Sequence, residues 1–141
     1  MLIEFSVSNF RSILTSQTLS MVAGSDAGHH AANLFQVGDE KLRLLKSAVI
    51  YGPNAAGKSN VLRGLETLRQ LVLHSATTLK DDQPIPVTPF LLTAASAEAP
   101  TVFDIIFIAD DGVRYNYHLE VSPRRVFKEW LVAYPRGRAQ R

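Results

Sequence analysis

Gly52-Pro53-Asn54-Ala55-Ala56-Gly57-Lys58-Ser59 fits the pattern G-x-x-x-x-G-K-[ST] at every position. That pattern specifies a ligand class, the phosphates of a nucleotide, and a way of holding them. Gly52 lets the chain turn out of a preceding strand through backbone angles that other residues avoid. Gly57 lets the backbone approach the anion closely. Successive N–H groups at the start of a helix then point at the phosphates, and the helix dipole adds to the attraction. Lys58 is placed to reach the β- and γ-phosphates, and the Ser59 hydroxyl to ligate Mg²⁺.

The flanks extend the reading. Upstream, Ser47-Ala48-Val49-Ile50-Tyr51 is a short apolar run and predicts a buried strand. Downstream, Val61, Leu62, Leu65, Leu68, Leu71 and Val72 recur at spacings of three and four and predict a helix over about 59–75. Strand, glycine-rich turn and helix form the context in which this pattern binds nucleotide. The pattern does not name a reaction, because ATPases, GTPases and small-molecule kinases share it.

Further out, Leu2 to Ser8 alternates, with Ile3, Phe5 and Val7 on one face and Glu4, Ser6 and Ser8 on the other. It reads as a half-buried strand broken by Asn9-Phe10-Arg11-Ser12. Thr15 to Val22 is a weaker strand candidate. Residues 24–38, with Gly24, Gly28, Asn33 and Gly38, read as loop. Pro84, Pro86 and Pro89 make 80–89 an extended connection, and 94–100 reads as a loop. Thr101 to Ala109 and Val113 to Val121 predict a hairpin closed at Asp110-Asp111-Gly112. Val126 to Tyr134 is the last strand candidate. The expected fold class is therefore α/β, a P-loop NTPase with a mixed sheet and a large antiparallel β part over about 101–134.

The chain has 141 residues, 46% hydrophobic and 20% charged, sufficient for one domain with its own core. It has no cysteine, which excludes disulfides and thiolate metal sites and fits a cytoplasmic protein. No stretch is apolar enough to span a membrane, and Met1 to Phe5 carries Glu4 and no basic leader. Net charge is +2, yet Arg124, Arg125, Lys128, Arg136, Arg138 and Arg141 crowd the final segment against Glu129. The segment reads as a solvated end or polar strand face in preference to a nucleic-acid footprint. His29-His30, near Asp26 and Asp39, has no metal-ligand spacing and reads as loop. His74 and His118 read as isolated surface residues. Tyr115, Tyr117 and Trp130 read as sheet packing in preference to base-stacking platforms.

Two segments together carry a family resemblance. Ile3-Glu4-Phe5-Ser6-Val7-Ser8-Asn9-Phe10-Arg11-Ser12-Ile13 resembles the N-terminus of SMC-like ABC-type ATPases. These include SMC and RecF proteins, OLD-family nucleases, and ATPases of anti-phage systems such as Septu and certain retrons. The wording Gly-Pro-Asn-x-x-Gly-Lys-Ser is typical of the same group. The likeness is nearest to the OLD-related "AAA family ATPase" branch, where a hairpin and a stretch similar to Glu129-Trp130-Leu131 through Tyr134-Pro135-Arg136-Gly137-Arg138 follow the helix.

The resemblance implies that residues 1–141 form the N-terminal lobe of an ABC-type ATPase head. Such a head binds ATP with Mg²⁺ and dimerises with a second head when complete. It is coupled to DNA or a nuclease effector, in DNA repair or phage defence. Nucleotide contacts are implied for Gly52, Pro53, Asn54, Ala55, Ala56, Gly57, Lys58, Ser59, Asn60 and Arg11, with Ser59 on Mg²⁺. Phe10 reads as core.

The departures bound this reading. A signature motif and a Q-loop glutamine are not recognisable. Ile105-Ile106-Phe107-Ile108-Ala109-Asp110-Asp111 imitates a Walker B strand, but Gly112 and the alternating strand after it make it a hairpin turn. The catalytic acids are therefore not identified. A P-loop kinase or GTPase, and a non-hydrolysing module in which ATP only organises assembly, stay open as alternatives. No guanine-reading motif or acceptor site favours the first.

Overall fold

The computed structural model describes residues 1–24, 31–37, 42–74 and 83–135. His29-His30, Asp26, Gly28, Gly38, Asp39 and the distal basic residues Arg136, Arg138 and Arg141 lie outside them. The elements in chain order are β1 (Leu2–Ser8), β2 (Gln17–Ser20), a 3-10 turn (Ala31–Asn33), β3 (Leu34–Gln36), β4 (Arg43–Leu45), α1 (Lys58–His74), α2 (Ala94–Glu98), β5 (Thr101–Ile108), β6 (Arg114–Val121) and β7 (Val126–Tyr134).

A five-stranded sheet of order β2-β1-β5-β6-β7 forms the frame, and β3 and β4 pair as a separate two-stranded ribbon. Every pairing among the described residues is antiparallel, so the mixed sheet expected from the sequence is corrected to an antiparallel one. The β5–β6 hairpin pairs Ile108 with Arg114 around Asp111. The Asp111 carboxylate accepts from the Val113 N–H at 2.8 Å and from the Tyr115 hydroxyl at 2.8 Å. Asp110-Asp111 is thus turn chemistry, with Gly112 at φ 76° completing it.

Helix α1 covers one face of the sheet. Gly64, Leu68 and Leu71 are its buried residues, on the stripe that the sequence spacing marks. A Cβ at Gly64 would lie 3.4 Å from Phe5 and Val7, so the missing side chain lets helix and strand approach closely. The main core gathers Phe5, Val7, Phe10, Phe103, Leu119 and Val121 beneath the helix. Phe10 meets Phe103 edge-on at 5.7 Å, as the core reading of Phe10 expects.

Ile3 departs from its expected face. The β1–β5 register shifts between Leu2 and Glu4. Such a bulge adds one residue to a strand and turns what precedes it over. Leu2 therefore packs with the helix-side core, and Ile3 joins Leu44 and Ile108 in a second cluster on the opposite face.

Two loop expectations are also corrected. Residues 94–98 form α2, because the Thr93 side chain caps it by accepting from the Ser96 N–H at 3.2 Å. Leu34–Gln36 pairs with Arg43–Leu45, strands too short to show a period. No helix among the described residues is long and apolar enough to cross a membrane.

The largest correction concerns Ser47 to Tyr51. The run belongs to no strand, and Val49 and Tyr51 are 85% and 90% exposed. Among the described residues, its backbone makes no hydrogen bond. Sequence hydrophobicity marks it for burial, yet the antiparallel sheet places no neighbour beside it.

Candidate functional site

The glycine-rich loop, the first turn of α1 and the turn after β1 enclose a cleft of about 310 Å³. Residues 55–60 form two of its sides, and Ser12 and Arg63 close it. The loop adopts strained backbone where it must bend: φ is 64° at Ala55 and 86° at Gly57. At Gly57 only glycine adopts that angle cheaply, and an added Cβ would lie 3.4 Å from the Ser12 hydroxyl.

The donors are arranged for an anion. Among the described residues, no backbone carbonyl accepts from the N–H groups of Gly57, Lys58 or Ser59; the paired amides on either side are those of Ala56, to Pro53 at 3.4 Å, and Asn60, to Gly57 at 2.8 Å. Three orphan amides at a helix start are an anion-binding arrangement. The first turn of α1 contains no acid and begins with Lys58. A cation there opposes the helix dipole, and an anion in the cleft resolves the conflict. Lys58 Nζ now donates to the carbonyls of Gly52 at 2.8 Å and Pro53 at 2.6 Å. It therefore spans the loop to which it belongs. Ser59 is exposed at the cleft, and Asn54 is exposed at the loop apex.

Asn60 links the walls. Its Nδ2 donates to the Ser12 hydroxyl at 2.6 Å, and its Oδ1 accepts from Arg63 at 3.1 Å. Sequence reasoning missed Ser12 and Arg63. Arg63 lies four residues after Ser59, on the same helical face, and that spacing was the available signal.

Arg11 does not line the cleft. Its guanidinium lies over the Phe10 ring at 5.5 Å, and its N–H donates to the Thr88 carbonyl at 2.9 Å. Asn9 has a structural role. Buried at φ 49°, it donates through Nδ2 to the carbonyls of Ser96, Ala99 and Pro100 at 2.8, 2.9 and 3.1 Å. Its Oδ1 accepts from the Phe90 N–H at 3.1 Å. Asn9 thus fixes the turn that carries Ser12.

The aromatic residues pack on the sheet. Tyr115 stacks on Phe107 at 5.5 Å, and Tyr117 donates to Glu129 at 2.7 Å. Burial first, and then that bond, push the Tyr117 hydroxyl well above the usual tyrosine range. Trp130 stacks on His118 at 5.1 Å. His118 corrects its sequence reading, since it is held between Asp104 at 2.6 Å and Glu120 at 3.0 Å. Burial alone would lower its pKa. Hydrogen bonds to the two carboxylates, reinforced by their charge, outweigh that and hold it above 6.5. Two of the described basic residues near the C-terminus also have partners: Arg125 lies over Phe127 at 4.2 Å, and Lys128 meets Glu120 at 3.8 Å.

The site carries the complete P-loop pattern, Gly52 to Ser59, running into α1. Residues 47–141, about two thirds of the chain, match the family described as "AAA domain, putative AbiEii toxin, Type IV TA system". The chain belongs to this family of P-loop AAA-type ATPases, whose members use ATP with Mg²⁺. No curated protein and no solved structure matches it.

Proposed function

We propose that residues 1–141 are the nucleotide-cradling lobe of an SMC/OLD-like ATPase head. Gly52 to Ser59, with Asn60, receive the phosphates of ATP; Lys58 supplies charge at the β- and γ-phosphates and Ser59 a ligand for Mg²⁺. Bound Mg²⁺ would bridge phosphate oxygens and neutralise their charge. The carrying observation is the set of orphan amides at Gly57, Lys58 and Ser59, among the residues that line the cleft.

The run Ser47 to Tyr51 supports the half-lobe reading. An apolar run that is exposed and without backbone hydrogen bonds among the described residues suits a strand completed only inside a parallel sheet. Strands from outside residues 1–141 would supply that sheet together with the carboxylates that activate water. A second ATPase head, a nuclease effector and DNA are the partners proposed, in a cytoplasmic setting of DNA repair or phage defence. These assignments rest on the resemblance of residues 3–13 and the P-loop wording. Mention of a toxin–antitoxin system in the family description is compatible with a defence role. Arg11 lies off the cleft in this structure, and its contact with the nucleotide is proposed on the resemblance alone.

Titration calorimetry with Mg-ATP on this chain and on Lys58→Ala tests the cradle. Saturable binding, abolished by the substitution in a chain that keeps its circular dichroism, is expected. A folded wild-type chain that takes up no Mg-ATP, or a Lys58→Ala chain that binds equally well, overturns the reading.

A further inference from the structure

The charge distribution in the cleft leaves one group unused by the P-loop pattern. Among the described residues two cations line it, Lys58 and Arg63, and no acid does. Lys58 is accounted for by the pattern. Arg63 forms no ion pair among the described residues. Its natural helical neighbour Glu66, three residues on, is instead engaged by Arg69 at 3.3 Å and Gln70 at 2.5 Å. Among the described residues, Arg63 makes one side-chain hydrogen bond, to the neutral Oδ1 of Asn60 at 3.1 Å, which uses a single donor of its five. A guanidinium with four donors unused and no counter-charge among the described residues, on the wall of the cleft, is matched to phosphate oxygens.

The two cations also stand apart. Lys58 is tied to the loop through Gly52 and Pro53. Arg63 lies more than one helical turn further along α1, on the side facing Ser12 through Asn60. An anion held only at one point would leave one of them unsatisfied, whereas a phosphate chain crossing the cleft satisfies both.

We propose that Arg63 is a second cationic ligand of the nucleotide's phosphate chain, contacting it directly from α1 opposite the Lys58 side of the cleft. This deepens the nucleotide-binding reading above and rests on it. Asn60 holds the guanidinium in place before the ligand arrives, and the Ser12 hydroxyl holds Asn60. The turn after β1 is thereby joined to the phosphate site without touching the nucleotide through Arg11.

Charge and hydrogen bonding can be separated at this position. Arg63→Gln removes the charge and keeps an N–H group able to reach Asn60; Arg63→Lys keeps the charge and loses the planar fork. Calorimetric titration of Mg-ATP and Mg-ADP into wild type, Lys58→Ala and both Arg63 variants is the experiment. Losing one charge-assisted contact weakens binding about tenfold or more. Arg63→Gln is therefore expected to weaken both nucleotides by about that factor, and Arg63→Lys to recover most of it. Added salt should also weaken Arg63→Gln less steeply than wild type, because one charge pair has gone.

If wild type binds, Lys58→Ala does not, and Arg63→Gln binds like wild type, Arg63 serves only to hold Asn60 and the inference falls while the cradle stands. If wild type itself takes up neither nucleotide, both readings fall together.

Discussion

The two turns that face each other across the cleft are built in opposite ways. The turn after β1 is fixed in the interior: Asn9 is 7% exposed and its side chain binds four backbone groups between Phe90 and Pro100. The Thr101 hydroxyl adds a bond to the Asn9 carbonyl at 2.6 Å. The glycine-rich loop is exposed, follows an unpaired run, and is spanned mainly by its own lysine. Both turns hold non-glycine residues at positive φ, Asn9 and Arg11 in one and Ala55 in the other. Strain in the first is overdetermined by the surrounding bonds, whereas the second has few such constraints. One wall of the cleft is thus a fixed reference, and the other can adjust to a ligand.

The largest effect expected from this contrast is at Asn9. Asn9→Ala leaves one buried and two part-buried carbonyls and the Phe90 N–H without their partner and places alanine in left-handed backbone. The cost is about 3 kcal/mol, summing lost bonds and unsatisfied groups. Urea denaturation measures it. A loss below about 1 kcal/mol would mean that the turn is not fixed in this way, and the contrast between the two walls would disappear.

What the sequence made legible follows the length of each periodic signal. The hairpin of β5 and β6 and the helical stripe Val61 to Leu71 run long enough for periods of two and 3.6 to stand out, and they fold as read. The three-residue strands β3 and β4 are shorter than any period. Ile3 was misassigned because a bulge inverts alternation without any mark in the composition. The Asn9-Phe10-Arg11-Ser12 segment was legible as a motif, but the roles within it were not. Asn9 supports backbone and Ser12 lines the cleft, because the turn geometry decides which side chain faces the loop. Of the candidate site, the loop residues could be read from spacing, whereas Ser12 required the long-range approach of residues 12 and 60.

A smaller effect is expected at His118, on the sheet face away from α1. Every charged group within its cluster is on the sheet: Asp104 on β5, Glu120 on β6, and Lys128 on β7 bonded to Glu120. Because the folded-state pKa lies above the ordinary 6.5, the protonated ring stabilises the fold. That contribution is fully present below about pH 6.5 and is lost as pH rises through the higher folded value. His118→Gln should therefore lose stability relative to wild type mainly at acidic pH, with the two curves converging in alkali. Denaturation midpoints across pH 5 to about 9 test this. A wild-type advantage that grows with pH would reverse the sign and show that the neutral ring is the stabilising form.

The smallest effect is expected where composition alone predicts a large one. Val49 and Tyr51 belong to the most apolar part of the chain leading into the loop, and both are almost fully exposed. Burying such side chains contributes about 1.5–3 kcal/mol each when they are enclosed. In this fold they enclose nothing, so Val49→Ser combined with Tyr51→Ser should change the unfolding free energy by no more than about 0.5 kcal/mol. The same denaturation experiment that reports Asn9 measures it. A cost of about 2 kcal/mol or more would place the run against a surface in solution, and the adjustable wall would then be as firmly held as the fixed one. A negligible cost separates two kinds of hydrophobicity in one chain. Phe5 and Phe103, at 0% exposure, hold this sheet together. Val49 and Tyr51 contribute nothing to it; at the base of the glycine-rich loop, their apolar character is what the proposed missing strands would use.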